Sequence, residues 1–289
     1  MISLLSEEWG TYLGLDRLLL PLEGFPAEME AVEVALYLAE CSDAEVLLFH
    51  VVEASTKKER AYGRLKLFAL ERAESLDVKV QVEEAEREAP TEAIVKRARA
   101  HDLIVMGGRR RLREEILGSV SSAVIRKAPK PQMIITSPIV TWEGRKRPLR
   151  KLLVPLRLGR EDVGAVKLAA ALTSSATTRD FVISALHVIT LPQTVPVSAS
   201  DNESLRDEEK RFLREVGELT SHVARPIIPQ VVVGRDVGRS IVNFAREHAF
   251  DLIILGERKK PGLLRRLLGA KAHYVARNAP CGVALIYTS

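Results

Sequence analysis

The sequence predicts an α/β protein with two similar domains, each a parallel sheet covered by helices on both faces. Two observations support this fold class. Short apolar runs typical of buried strands alternate with longer segments of helical periodicity, and the order βαβαβαβαβ occurs once in each half of the 289 residues. Parallel neighbours need right-handed crossover connections, so this order implies five strands per sheet with helices on both faces.

The first half shows each element in turn. The predicted strands are 18–22, 46–52, 78–82, 103–106 and 133–136, and the predicted helices are 27–40, 57–75, 91–100 and 119–127. The third strand alternates strictly between apolar and polar residues, which indicates one solvated face and a place at the sheet edge. Its counterpart in the second half, 227–233, contains Pro229, which is tolerated mainly in an edge strand.

Four sequence motifs recur in the same order in the two halves. They are 17–23 and 151–157 (RLLLPLE, KLLVPLR), 47–52 and 184–189 (LLFHVV, SALHVI), 102–107 and 251–256 (DLIVMG, DLIILG), and 116–118 with 127–129 against 267–269 with 278–280. Pro21 thus corresponds to Pro155, and Gly118 corresponds to Gly269. We interpret this as a tandem duplication, with domains at 16–137 and 150–288 and a linker between them.

Composition excludes several classes of protein. The two cysteines, Cys41 and Cys281, form no CxxC pair, which favours a reducing compartment. The first residues lack the pattern of a secretory signal, and no run of about 18 apolar residues could span a membrane, so we expect a cytoplasmic protein. The net charge of +5 favours acidic partners weakly. With 5% aromatic residues and no aromatic–basic interleaving, nucleic acid is not an expected partner.

Catalytic and metal-binding signatures are missing from the sequence. It contains no HExxH, GxSxG or Walker A motif, so we expect neither a metal held by protein side chains nor a catalytic residue. His50 and His187 recur in matching strands, which favours a structural role, and Cys281 is expected to be buried.

A ligand of such a sheet would bind beyond the carboxyl ends of the strands, where the strand order reverses. Residues 21–24 and 106–108 follow the first and fourth strands, and residues 118–121 (GSVS) begin a helix. A glycine that permits close approach, exposed helix amides and two hydroxyls together suit a phosphate group. Taken alone, residues 118–121 are better explained as an ordinary turn glycine and helix cap, and the glycines after the fourth strand shift the balance towards a ligand site.

These motifs, in this order, resemble the universal stress protein domain over nearly the whole chain. The resemblance implies a Rossmann-like fold of the adenine-nucleotide α-hydrolase-like type, in which tandem members pair their halves as an internal pseudo-dimer. It also implies a further homodimer and binding of ATP, ADP or AMP in some members, with at most slow ATP hydrolysis. Magnesium is expected only with a bound triphosphate.

Carried over residue by residue, the resemblance places the nucleotide in the first half. Glu23 takes the position of the family's nucleoside-binding aspartate. The other implied contacts are Pro21, Leu22, Val51, Met106, Gly107, Gly118, Ser119, Val120 and Ser121. The interval from Gly107 to Gly118 is shorter than the family's, and arginine replaces the family's second glycine. The arginines that follow, Arg109, Arg110, Arg111 and Arg113, form either a cationic clamp on a phosphate or a solvated basic loop.

The second half departs further from the family pattern. Arg157 occupies the aspartate position, Lys259 the second glycine position and Ala270 the hydroxyl position. We therefore expect this second site to be degenerate and empty of nucleotide. The alternative is a different anion pocket, built from Arg157, Lys259, Arg265, Arg266 and Lys271.

Two functions follow from these expectations. The first is ligand sensing by a tandem universal stress protein that binds an adenine nucleotide in its first half. The alternative is an interaction scaffold, or a regulatory partner of another protein such as a transporter, that binds no nucleotide in either half.

Overall fold

The computed structural model describes residues 15–24, 28–52, 55–108, 117–136, 150–157, 159–173, 181–191, 203–221, 223, 226–258 and 269–288. Within them the chain divides into two compact units, one built around the first five strands and the other around elements of the second half. The predicted boundaries at 16–137 and 150–288 stay a prediction.

The first half alternates strand and helix as the sequence predicts. Its elements are β1 (Arg17–Pro21), α1 (Met29–Ser42), β2 (Glu45–Val51), α2 (Thr56–Ser75), β3 (Val80–Ala85), α3 (Pro90–Ala98), β4 (Leu103–Gly107), α4 (Ser119–Lys127) and β5 (Gln132–Thr136). The third strand begins later than predicted, at Val80. The backbone N–H of Val78 bonds Ala73 O at the end of α2, so Val78 belongs to the turn that closes that helix.

The second half repeats the same order. Its elements are β6 (Lys151–Pro155), α5 (Arg160–Leu172), β7 (Val182–Thr190), α6 (Glu203–Thr220), β8 (Ile227–Gly234), α7 (Val237–Glu247), β9 (Leu252–Arg258), α8 (Ala270–Asn278) and β10 (Gly282–Thr288).

The strand order explains where a ligand site can form. In the first half the order is β3-β2-β1-β4-β5 with parallel neighbours, and the second half follows the order β8-β7-β6-β9-β10. The chain moves outward on one side of β1 and then returns to its other side with β4, so a crevice opens between the carboxyl ends of these two strands. Both predicted edge strands, β3 and the proline-containing β8, lie at an end of their order.

The central strands carry the core. Leu18, Leu19 and Leu20 of β1 are fully buried, as a parallel strand covered on both faces requires. The aspartate that opens each DLI motif holds the opposite, amino-terminal edge of the sheet. Asp102 Oδ2 accepts the backbone N–H of Arg17 at 3.0 Å, and Asp251 Oδ2 accepts that of Lys151 at 2.9 Å. These two acids therefore fasten the start of the first strand in each half and lie away from the crevice.

Candidate functional site

The crevice between β1 and β4 contains a narrow cleft. Its described lining comes from the ends of β1, β2 and β4, the loop after β1, the residue before α1, and the amino-terminal parts of α3 and α4. The residues are Pro21, Leu22, Glu23, Glu28, Phe49, Val51, Pro90, Ile94, Met106, Gly107, Val120 and Ser121. The enclosed volume is about 40 Å³, within a solvent-open space of about 470 Å³.

The structure brings most of the predicted contact residues together. Eight of them, from four separate stretches of chain, line this cleft: Pro21, Leu22, Glu23, Val51, Met106, Gly107, Val120 and Ser121. Gly118 is the residue that caps α4 and Ser119 is its first residue, so both lie beside the cleft without lining it. Arg109 falls outside the described residues, as do Arg110, Arg111 and Arg113. Whether any of these residues contacts a nucleotide stays a prediction.

A buried acid shapes the loop that follows β1. The side chain of Glu28 accepts the backbone N–H of Glu23 at 3.1 Å and that of Gly24 at 2.8 Å. Gly24 has a φ of 94°, and a Cβ added there would meet the backbone nitrogen of Tyr62 at 2.5 Å. Only glycine satisfies both constraints, because the loop passes directly against α2. Glu28 and Gly24 thus set the position from which Glu23 faces the cleft.

His50 links this loop to α2. Its Nδ1 lies 2.8 Å from Leu22 O and its Nε2 lies 3.0 Å from Glu59 Oε1, while the ring stacks on Tyr62 at 3.7 Å between centroids. Tyr62 in turn donates to Glu84, and burial together with that carboxylate raises the pKa of the Tyr62 hydroxyl. His50 is 2% exposed and both its ring nitrogens have partners, which matches the structural role expected for it.

The start of α4 forms the opposite wall of the cleft. Gly118 is extended, with φ −69° and ψ 168°, and α4 follows at once. The first N–H groups of an α-helix have no partner within that helix and carry partial positive charge. Ser121 adds a hydroxyl at the cleft. This wall can therefore donate hydrogen bonds to an anion.

The second half contains an equivalent cleft between β6 and β9. It has a volume of about 340 Å³, larger than the first, and its described lining includes the corresponding strand ends and the first turn of α8. The residues are Pro155, Leu156, Arg157, Leu186, His187, Val188, Thr190, Glu208, Val237, Ile241, Leu255, Gly256, Glu257, Lys271, Ala272 and Val275. The post-strand loop is again held by a buried acid, since Asp162 Oδ2 accepts the N–H of Arg157 at 2.6 Å and that of Gly159 at 3.1 Å.

The polar groups of the second cleft differ from those of the first. Arg157 replaces Glu23 and donates from Nη2 to Gly256 O at 3.1 Å. Glu257, where the first half has Gly108, is 5% exposed, and its Oε2 lies 4.0 Å from a Cβ built on Gly269 at the start of α8. A carboxylate thus lies close to the helix start that would otherwise receive a phosphate. Ala272 replaces Ser121 and supplies no hydroxyl.

Two of the five residues named for the anion-pocket alternative in this half line the cleft. Arg157 and Lys271 both line the second cleft, whereas Lys259, Arg265 and Arg266 lie outside the described residues. The buried Glu257 makes the cleft a site of mixed charge.

Sequence reasoning missed the two acids that hold the loops. Glu28 and Asp162 have the same separation in the chain as Pro21 and Pro155, so the repeat itself aligns them. An acid at both aligned positions was the signal that could have found them.

Among the described residues no group of three or more His, Cys, Asp or Glu side chains could hold a metal ion. No helix in that part of the chain is long and apolar enough to cross a bilayer.

Comparison with known proteins identifies the family. The universal stress protein family profile matches residues 14–136 and again 148–286. The chain belongs to the universal stress protein family. It is 31% identical over 144 residues to the universal stress protein MJ0531 of Methanocaldococcus jannaschii, an alignment that covers 47% of this chain and 81% of that protein.

Solved universal stress proteins show the same fold. One from Archaeoglobus fulgidus covers 94% of this chain and 98% of its own, with a TM-score of 0.64 at 17% identity. A putative universal stress protein from Pseudomonas aeruginosa UCBPP-PA14 covers 96% of this chain and 94% of its own, with a TM-score of 0.62 at 15% identity. The predicted fold class, two universal stress protein domains with mostly parallel sheets and helices, is confirmed.

Proposed function

We propose that this universal stress protein binds an adenine nucleotide in its first cleft and acts as a ligand sensor. The observation that carries the proposal is the convergence of eight residues, implied by the family resemblance, on one cleft at the point where the strand order reverses. Chain stretches far apart in sequence supply them.

The polar groups of the first cleft suit the two ends of a nucleotide. Glu23 places a carboxylate on the β1 side, where it can accept from a ribose hydroxyl or an amino group, and the start of α4 faces it with N–H donors and Ser121. Met106, Val51 and Ile94 supply the apolar surface between them for a base. Nucleotide in this cleft would signal to a partner only as far as it favours one arrangement of the cleft walls over another.

The second cleft lacks both polar ends of that arrangement. Arg157 reverses the charge at the carboxylate position, and Glu257 brings a negative charge to the start of α8. A phosphate placed there would meet a carboxylate in a partly dehydrated site, where repulsion is stronger than in water. We therefore propose that nucleotide binding is confined to the first half.

Nucleotide-dependent melting tests the proposal, with Ser121→Ala and its neighbour Ser122→Ala as a matched pair. AMP, ADP or ATP at 100 times its dissociation constant should stabilise the wild type by about 2.7 kcal/mol. Ser121→Ala should weaken binding about tenfold or more, because a hydrogen bond to a charged group contributes roughly 1.5–3 kcal/mol. Ser122, which is outside the described lining, should be neutral.

A second pair of variants tests the carboxylate of Glu23. Glu23→Ala should weaken nucleotide binding while Arg157→Ala leaves it unchanged. Equal effects of the two changes would contradict the asymmetry between the halves. No melting shift with any of the three nucleotides, and none bound to the purified protein, would favour the scaffold function.

A further inference from the structure

The outer edge of β3 presents a complete row of backbone hydrogen-bonding groups. The N–H of Val46 on β2 bonds Lys79 O at 2.9 Å, just before β3 begins. Successive residues of a strand direct their N–H and C=O groups to opposite sides, so Val80, Val82 and Glu84 direct theirs away from β2. Because β3 lies at the end of its strand order, this row faces outward, where another strand could pair with it.

The outer edge of β8, the other edge strand, is interrupted by a proline. The N–H of Leu191 bonds Gly234 O at 2.9 Å, so Gly234 faces β7. The same alternation then places Pro229, Val231 and Val233 in the outward row. Proline has no N–H to donate, and this row therefore lacks one of its donors. Of the two edge strands, β3 is the one whose outward row can pair in full.

Apolar side chains border the outer edge of β3. Val82 is 41% exposed and Leu70 on α2 is 37% exposed. Glu84 accepts from Lys66 of α2 at 2.8 Å, and α2 runs antiparallel to β3. Four residues of helix and two residues of strand each advance by about 6 Å, so Leu70 lies level with Val82 on the same face of the sheet. A strand that paired with β3 would cover both side chains.

The charges of β3 permit a second copy of the same strand beside it. Arg97 of α3 donates to Glu83 at 2.8 Å, and Lys66 donates to Glu84 at 2.8 Å. Each acid of the strand thus already has a cation of its own chain beside it. Repulsion between two copies of the strand is weakened accordingly, and pairing through the backbone leaves both ion pairs in place.

We propose that the protein forms a homodimer in which β3 pairs antiparallel with β3 of a second copy, with the two-fold axis at Val82. Val80 then lies opposite the partner's Glu84, and Gln81 lies opposite the partner's Glu83. No acid faces an acid in this register. A register centred on Glu84 would oppose two carboxylates, and one centred on Val80 would leave Glu84 without an opposite strand residue. This contact is independent of both clefts.

Disulfide cross-linking of the full-length Val82→Cys variant tests the register. Opposite residues that exchange both backbone bonds have Cα atoms about 5.5 Å apart, within the range of about 4.4–6.8 Å that a disulfide spans. Mild oxidation should therefore yield a covalent dimer. Ile228→Cys, a 44% exposed position on β8, is the matched control and should stay uncross-linked, like the wild type with its own two cysteines. Equal cross-linking of the two variants, or none in Val82→Cys, would overturn the proposal.

Analytical ultracentrifugation with proline variants tests the backbone pairing. The wild type should sediment with the mass of two chains at high micromolar concentration. Val82→Pro removes an outward N–H and should weaken the dimer by about tenfold or more, whereas Val231→Pro, in the outward row of β8, should leave it intact. If Val82→Pro does not fold, the cysteine pair decides. A monomeric wild type, a dimer that Val82→Pro leaves unchanged, or assemblies that keep growing with concentration would overturn the proposal, because a β3 pair closes on its two-fold axis.

Discussion

Gly24 lies in the loop after β1 that positions Glu23 at the cleft, and we expect Gly24→Ala to destabilise the protein. Its φ of 94° lies in the region that side-chain-bearing residues rarely adopt, which costs about 1–2 kcal/mol. The new Cβ would also lie 2.5 Å from the backbone nitrogen of Tyr62. Relief of such overpacking costs about 1–3 kcal/mol more, so we expect a loss of about 2–5 kcal/mol.

Gly63→Ala is the matched control, one residue after Tyr62 and inside α2. A Cβ there meets nothing within 4 Å, and replacement of glycine by alanine inside a helix should stabilise by about 0.5–1 kcal/mol. The assay is urea unfolding followed by circular dichroism, with comparison of midpoints at unchanged slope. A Gly24→Ala midpoint at or above that of the wild type would refute the account of this loop.

Three further predictions concern buried polar groups. Glu28→Gln should lower the free energy of unfolding by about 1–3 kcal/mol in urea titration, because the charged acceptor of two loop N–H groups becomes neutral. His50→Ala should destabilise more than His187→Ala in the same assay, since these side chains are 2% and 17% exposed; equal losses would contradict this. Burial, with a smaller effect of Asp251, raises the pKa of the Cys281 thiol to about 12. Iodoacetamide at pH 8 should therefore modify the half-buried Cys41 before Cys281. The protonated Cys281 should contribute to the free energy of unfolding below pH 9, and that contribution should be lost as the pH rises towards 12.

The elements of this fold could be predicted because apolar periodicity reports burial directly. The start of β3 could not, since the bond from Val78 to Ala73 O that closes α2 depends on backbone geometry, which periodicity does not record. The walls of the first cleft were predictable because parallel strands place their carboxyl ends at one edge. Glu28 was missed because it is one acid among several in a helical segment, and only its alignment with Asp162 in the repeat sets it apart in the sequence.

The reversal of charge between the halves was visible in the sequence at Arg157. The approach of Glu257 to the start of α8 was not, because Glu257 and Gly269 are well separated along the chain and come close only when it folds. The volume of each cleft likewise depends on side-chain packing, which no motif encodes.

The central claim is that nucleotide binds in the first half alone, and a crystal structure of the protein grown with AMP tests it most directly. The account predicts AMP between Glu23 and the start of α4, with its phosphate at Ser121 and no AMP between β6 and β9. AMP density confined to the second cleft, beside Arg157 and Glu257, would contradict it.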